Sequence, residues 1–477
     1  MQTEIGVAAQ PQPEGSKSLF SSLLEAIRGS SSRDYTSGSI DRAIFMLSVP
    51  MVLEMCMESL FGVVDIFWVA KLGKEAMTAA ALTEATLAIL FAVAMGLSMG
   101  TTAIVARRTG EKRPEEASVA AVQGILAASA VSVVVGIFGW LCAPSILGFM
   151  GASPQVIEHG QSFTRVIYGG SGTILLLFLL NAVFRGSGDA STAMRSLWLA
   201  NAINIVLNPL LIFGIGPFPA MGVTGSAVGT TIGRGAGVLF QLFILFQGKG
   251  RIKIGPGQFR LDWDVMKRLL NLSLGAFFQY LIPTGSWTAL VRMAAEFGSA
   301  AVAGYALAVR ILIFALLPSW GMSNAAATLV GQNLGAGEPD RAEKSAWRAG
   351  FCNMVFLGIV GALFLIFAPV LVGWFVSDPE VKSVAITALR LFAAGNVFYA
   401  YGMVLAQSFG GAGDTRTPTY INLFCYWMFQ IPLAYMLAFP GGLKTTGVLL
   451  AVPIAECALA ATSIVLFRRG KWKLQKV

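Results

Sequence analysis

Histidine occurs once in this chain of 477 residues, at His159, and charged side chains make up only 12% of it. Metal and haem centres usually recruit several imidazoles, so the shortage argues against an intramembrane metalloprotease or di-iron enzyme. The five cysteines (Cys56, Cys142, Cys352, Cys425 and Cys457) form no CxxC pair and all fall in or beside apolar runs. They read as small buried hydrophobes rather than disulfide partners. No GxxxxGK[ST] motif is present, so ATP is not expected to drive a cycle. Strand-period alternation is also missing, which argues against an outer-membrane barrel.

What remains is apolar. Hydrophobic residues reach 55% and mean hydropathy is +0.70. Apolar runs spread over the whole length exclude a soluble enzyme, a disordered scaffold and a single-anchor receptor. The expected fold class is an all-α polytopic membrane protein with about twelve spans. They read as 43–68, 79–104, 116–142, 161–183, 192–214, 221–246, 266–294, 302–330, 345–374, 384–407, 419–440 and 446–467.

Loop charge sets the topology. One set of loops holds Arg107, Arg108, Lys112, Arg113, Arg185, Arg195, Lys249, Arg251, Lys253, Arg260, Lys267 and Arg268. It continues through Arg341, Lys344, Arg348 and Arg416 to the tail Arg468, Arg469, Lys471, Lys473 and Lys476; the alternate set offers only Lys71, Lys74, Lys382 and Lys444. The positive-inside rule puts both termini in the cytoplasm, as an even number of spans requires, with the plasma membrane as the expected location. The net charge of +9 is then a topology signal, and no nucleic-acid partner is expected. Residues 1–16 hold no apolar stretch typical of a signal peptide. Leu19, Phe20, Leu23, Leu24 and Ile27 recur at roughly helical spacing, as a surface helix or a tail, and SSSRDYTSGS after them reads as a linker.

An internal repeat organises the chain. GSGD at Gly186 returns as GAGD at Gly411, an offset of 225 residues. The same offset carries Gly73 to Gly298, Gly96 to Gly321, Gly110 to Gly335, Pro114 to Pro339, Pro154 to Pro379 and Thr192 to Thr417. Six spans return a chain to its starting side, so the halves share one orientation about an axis along the membrane normal. The expected divisions are a tail (1–40), an N-lobe (41–247), a linker (248–265), a C-lobe (266–468) and a basic tail (469–477). Two such bundles leave a central cleft for alternating access. The glycines of GSGD and GAGD permit positive φ, and Asp189 and Asp414 then cap the following helix. Ser153-Pro154 and Asp378-Pro379 carry the start signature of spans four and ten.

These features resemble the multidrug and toxic compound extrusion (MATE) family of cation-coupled antiporters, from about Asp41 to Arg468. The resemblance rests on LSVPMVLEMCMESLFGVVDIFWVAKLG in span one, FRGSGDASTAM and FGGAGDTRTPT, NAINIVLNPLLIFG in span five, and VGQNLGAGEPDRAEKSAW after span eight.

Intramembrane charge is costly, so function is sought among the polar groups inside the spans. Span one carries Glu54, Glu58 and Asp65 within about 40° of one another on a helix wheel, with Phe61 on the same stripe. They are either hydrogen-bonded structural acids or a proton or sodium site; a carboxyl withdrawn from water favours its neutral form and can load and release a proton. Asn201, Asn204 and Asn208 of span five lie within about 60° of one another, and Pro209 frees the Ile205 carbonyl. The resemblance implies a cation site between a first-span acid, matched by Asp65, and an Asn-xxx-Asp pair, matched at Asn204 and departed from at Asn208. Glu54 or Glu58 then replaces the missing charge, or the stoichiometry differs.

In the second half the repeat sets Gln279 opposite Glu54, an amide where one branch of the family has a glutamate, and 391–405 contains no carboxylate. The coupling ion is therefore placed in the N-lobe. Glu84, Thr230, Tyr305 and Arg310 join Phe61, Asn201 and Gln279 as candidate cleft residues. Arg310 and Glu456 either bind substrate or pair internally; Arg292 and Glu296 read as a surface pair. Met51, Met55, Met57, Trp198, Phe277, Phe278, Tyr399 and Tyr401 suit a pliable cleft or ordinary packing. The resulting expectation is a monomeric antiporter, not an enzyme, needing no cofactor beyond H+ or Na+. It would export amphipathic, cationic organic compounds across the bilayer. A flippase for lipid-linked saccharides is the nearest alternative, although it would favour a basic cleft, and an uncoupled channel comes after it.

Overall fold

The computed structural model describes residues 19–29, 34–248 and 250–477. Residues 1–18, part of the expected linker (30–33) and Lys249 lie outside the described residues. A short helix, α1 (Leu19–Arg28), precedes twelve long ones: α2 (Ile40–Ala70), α3 (Lys74–Gly110), α4 (Pro114–Phe149), α5 (Pro154–Ser187), α6 (Ala190–Phe213) and α7 (Val223–Gln247). The second set is α8 (Trp263–Ala295), α9 (Ser299–Gly335), α10 (Pro339–Gly373), α11 (Pro379–Gly411), α12 (Arg416–Ala438) and α13 (Lys444–Arg468). Eleven of the twelve are long and apolar enough to cross a bilayer; α8, with 33 residues, has the length but a more polar sequence. No strand occurs among the described residues.

Eight of the twelve helices outrun the expected spans at both ends, because bilayer thickness limits the apolar stretch while caps set the helix ends. Ser39 accepts from the Arg42 amide, Ser153 from Val156, and Asp378 from Glu380 and Val381. The two Gly-Asp turns match in register. Gly188 (φ +87°) and Gly413 (φ +91°) are left-handed, a conformation that favours residues without a Cβ. Asp189 accepts from the Thr192 amide at 3.2 Å and Asp414 from the Thr417 amide at 3.1 Å. The α5 span is broken near Gly170, and α12 holds a wide-turn stretch over Leu423–Gln430.

Each half builds its own core. Leu97, Val122, Leu177, Leu180 and Leu197 belong to the first, and Leu312, Leu357, Leu389, Phe392 and Leu449 to the second. The halves meet where α3 crosses α9. Cβ atoms added at Gly110 and Gly335 would overlap the carbonyls of Gln332 and Arg107, positions themselves one repeat apart. The glycines let two backbones touch there, and that end is closed. Toward the opposite ends of α3 and α9, Glu84 and Arg310 are exposed and interact electrostatically from one half to the other.

Both described chain ends fasten the closed side. Ala26 of α1 is buried against the start of α2 and α6. Arg341 donates to the Gly38 carbonyl at 2.8 Å. Trp472 is buried, stacks on Phe467 and donates to the Phe467 carbonyl at 2.8 Å. From there the tail crosses to the first half, where Arg107 donates to the Gln475 carbonyl and Arg108 to the Val477 carbonyl at 3.2 Å. The Glu343 and Asp340 carboxylates hold Lys473 at 2.6 and 3.1 Å.

Gly335→Leu should prop this end open. Overpacking a tight contact costs about 1–3 kcal/mol, or a population shift of roughly 5- to 150-fold. With the native cysteines replaced, a cysteine placed at Thr328, which lines the small cavity behind the crossing, should react faster with an impermeant thiol reagent added at the closed side. An unchanged rate would show that the glycine crossing does not govern closure.

Candidate functional site

The acidic stripe of α2 faces the interior of the first half, where α5, α6 and α7 supply its partners. The three acids do not share one pool; each has its own set. Glu54 is fully buried, its Oε1 accepting from Arg185 Nη1 at 2.8 Å and Asn181 Nδ2 at 3.0 Å. Asn181 in turn accepts from Gln241 Nε2 at 2.5 Å, so this end of the stripe is a buried polar network. One turn on, Glu58 pairs with Arg234 at 3.4 Å and accepts from Asn201 Nδ2 at 3.5 Å. The Arg234 guanidinium also lies over the Phe61 ring, 5.5 Å from its centre.

Asp65 is different: neutral donors hold it. Its Oδ1 accepts from Asn208 Nδ2 at 2.8 Å and from Ser226 Oγ at 2.6 Å. Behind it, Asn204 donates to Asn208 Oδ1 at 3.3 Å and to Thr230 Oγ1 at 2.9 Å. Asn204 Oδ1 is buried without a partner. Room for the asparagines comes from α7, where Gly229 and Gly233 face Asn208 and Asn204. A carboxylate locked to an arginine must break an ion pair to change charge, and breaking a buried pair is costly. One held by amides and hydroxyls can gain a proton or a cation while its neighbours rotate to suit. Of the three acids, the geometry leaves Asp65 the freest to exchange.

The structure brings Asp65, Asn204, Asn208 and Thr230 together, and Glu58, Phe61 and Asn201 together one turn away. Glu84 of α3 interacts electrostatically with both Asp65 and Arg310. Gln279 is buried on α8, its Oε1 unpartnered, and Tyr305 lies inside the second core with its ring edge-on to Phe392. Neither joins the Asp65 group. Arg292 and Glu296 do pair, at 3.5 Å on the surface.

One reading needs correction. Arg185, counted above with the loop charges, is buried and turned inward to Glu54, because a long side chain near a helix end can reach into the bundle. Arg234 on α7, paired with Glu58, joins Arg310 as a second cation inside the spans. Ser226 was missed: a lone helical serine gives no signal until its facing helix is known. Arg234 sits in TIGRGAG, where an arginine inside an apolar span was the available clue.

Comparison with known proteins agrees with this architecture. The MatE family model matches residues 50–210 and again 276–436, more than half of the chain and once in each repeat. The chain belongs to the MATE family. A curated relative, the probable multidrug resistance protein YoeA of Bacillus subtilis, is 24% identical over 92% of this chain and 96% of its own. A MOP superfamily transporter of Pyrococcus furiosus, described as having a binding pocket of reverse polarity, superposes with a TM-score of 0.87. It is 26% identical, and the match covers 93% of this chain and 98% of that one. An outward-facing multidrug resistance MATE transporter gives a TM-score of 0.85 at 27% identity over 92% and 96% of the two chains. The two-lobed helical bundle and a transport role for small molecules across a membrane follow from membership.

Proposed function

We propose that the protein is an antiporter that exports amphipathic, cationic organic molecules in exchange for protons or sodium ions, with Asp65 as the exchanging group. The observation that carries this reading is the contrast along α2, two ion-paired acids and a third held by neutral donors. Near the cleft, Glu58, Glu84 and Asp65 face Arg234 and Arg310, one negative charge in excess when all are ionised. That excess favours a cation, and neutralising Asp65 removes it. A cation or proton reaching Asp65 would therefore weaken the hold on a cationic cargo and favour its release, which couples the two fluxes. Asn208 and Ser226 report the change because their hydrogen bonds end on the carboxylate, and α6 and α7 carry them. With both termini in the cytoplasm of a plasma-membrane protein, the closed side faces inward and the open cleft outward. The monomer is the working unit.

Proteoliposomes with opposed pH and sodium gradients test this. Dye transport should follow one of the two gradients and run against its own; flux that ignores both would leave a uniporter or channel. Glu84→Gln should weaken cationic dyes modestly, by roughly two- to fivefold, since an exposed charge contributes about 0.5–1 kcal/mol. Neutral dyes should be unaffected, and an equal loss for both kinds would remove Glu84 from recognition.

A further inference from the structure

The second half contains a buried carboxyl that the reading above does not use. Glu456 lies midway along α13, 5% exposed, and its Oε2 has no hydrogen-bond partner. Among the described residues no lysine or arginine pairs with it, in contrast to Glu54 and Glu58. The groups that face it are neutral. From α9, α11 and α12 these are the phenols of Tyr305, Tyr399 and Tyr426, each interacting with it electrostatically, and on α13 itself the Cys457 thiol. α8 reaches this group through Tyr426: Ser286 donates to the Tyr426 carbonyl at 3.1 Å and to Gln430 Oε1 at 2.8 Å.

Three further features give this place the character of a site. On α11, Gly395 faces the carboxyl, and a Cβ there would overlap Glu456 Oε2, so the absent side chain is what admits the acid. The next residue, Asn396, is fully buried with both amide atoms unpartnered. In the wide-turn stretch of α12, one turn from Tyr426, Gln430 is fully buried with its Nε2 unpartnered. Buried polar atoms are nearly always hydrogen-bonded, and several unsatisfied ones in one half need an explanation. Wide turns of this kind often mark functional positions in helices.

We propose that Glu456 is a second proton-binding site, which loads and releases a proton during the transport cycle independently of Asp65. A buried glutamate among phenols, with no lysine or arginine to fix its charge, suits a proton better than an ion pair. Its position is neither of the second-half positions compared with the family above. Thr231, not an acid, stands one repeat earlier, so the two halves carry their exchangeable groups at unrelated places. The proposal extends the antiport reading but does not depend on Asp65.

Two measurements on the full chain in nanodiscs and proteoliposomes test it. Infrared difference spectra across a pH step should show a carboxylic C=O component that Glu456→Gln removes and Asp65→Asn leaves. Proton-to-dye stoichiometry, from the gradient at which dye flux reverses, should fall by one in Glu456→Gln. A spectrum that Glu456→Gln leaves unchanged overturns the proposal, as does a lost component with unaltered stoichiometry, which would make the carboxyl a static acid. If dye flux in the wild type ignores the pH gradient, proton-driven antiport fails by itself, and the infrared component alone decides whether Glu456 exchanges a proton. Should Glu456→Gln not fold, Glu456→Asp should shift the same component rather than abolish it, and an unshifted component has the same overturning force.

Discussion

Arg185→Ala should destabilise the first half by about 3–5 kcal/mol, the usual cost of leaving a buried charge without its partner. Glu54 would keep one hydrogen bond, from Asn181, and would lie in the bundle with its main counter-charge gone. Its Oε2 already lacks a partner, so the network has little slack to absorb the loss. Glu54→Gln should cost less than Arg185→Ala, because the amide oxygen still accepts from Asn181 and Arg185. The pair Glu54→Leu with Arg185→Leu should recover much of the loss, since exchanging a whole buried ion pair for apolar side chains is often near neutral. Thermal unfolding in detergent, read with and without the double change, separates these cases. Equal stability of Arg185→Ala and the wild type would mean that the Glu54 network is solvated in the working protein.

Ser226→Ala should damage coupling without damaging the fold. The hydroxyl makes a 2.6 Å hydrogen bond to Asp65, and a hydrogen bond to a charged group contributes about 1.5–3 kcal/mol. That is roughly a 10- to 150-fold change in the balance between the loaded and empty forms of Asp65. Ser226 is buried against α2 and small, so alanine leaves no large cavity. Gradient-driven dye flux should therefore fall by about tenfold or more, while dye binding and unfolding temperature stay near the wild type. Asn208→Leu should act in the same direction and more strongly, since it removes the second donor and also the Asn204 contact. A Ser226→Ala protein that transports normally would mean the serine is a bystander.

Much of this arrangement was legible beforehand, for definite reasons. Hydropathy and loop charge give the spans because a bilayer leaves the backbone little choice but helix. The repeat was readable because glycine and proline act through the backbone and must recur wherever the turn or crossing recurs, as at Gly110 and Gly335. The juxtaposition of Asp65 with Asn204 and Asn208 followed from helical spacing on two elements, together with the family resemblance. What stayed hidden depends on side-chain direction and on third parties. Arg185 lies near a helix end, where sequence cannot tell an outward charge from one turned inward. Ser226 is an ordinary helical residue until α7 is packed against α2. Glu456 was left open between substrate binding and internal pairing, because only the packed bundle shows that no partner faces it.

The central claim is that a cation bound at Asp65 is exchanged for the cargo. Purified protein in weakly buffered solution, held at fixed sodium, can be mixed with a cationic dye while released protons or sodium ions are recorded. The account predicts release of a cation on dye binding in the wild type. That release should be lost in Asp65→Asn, with the protein still folded and its Glu54–Arg185 pair intact. Release of the same size from Asp65→Asn would contradict the account and move the exchanging group elsewhere.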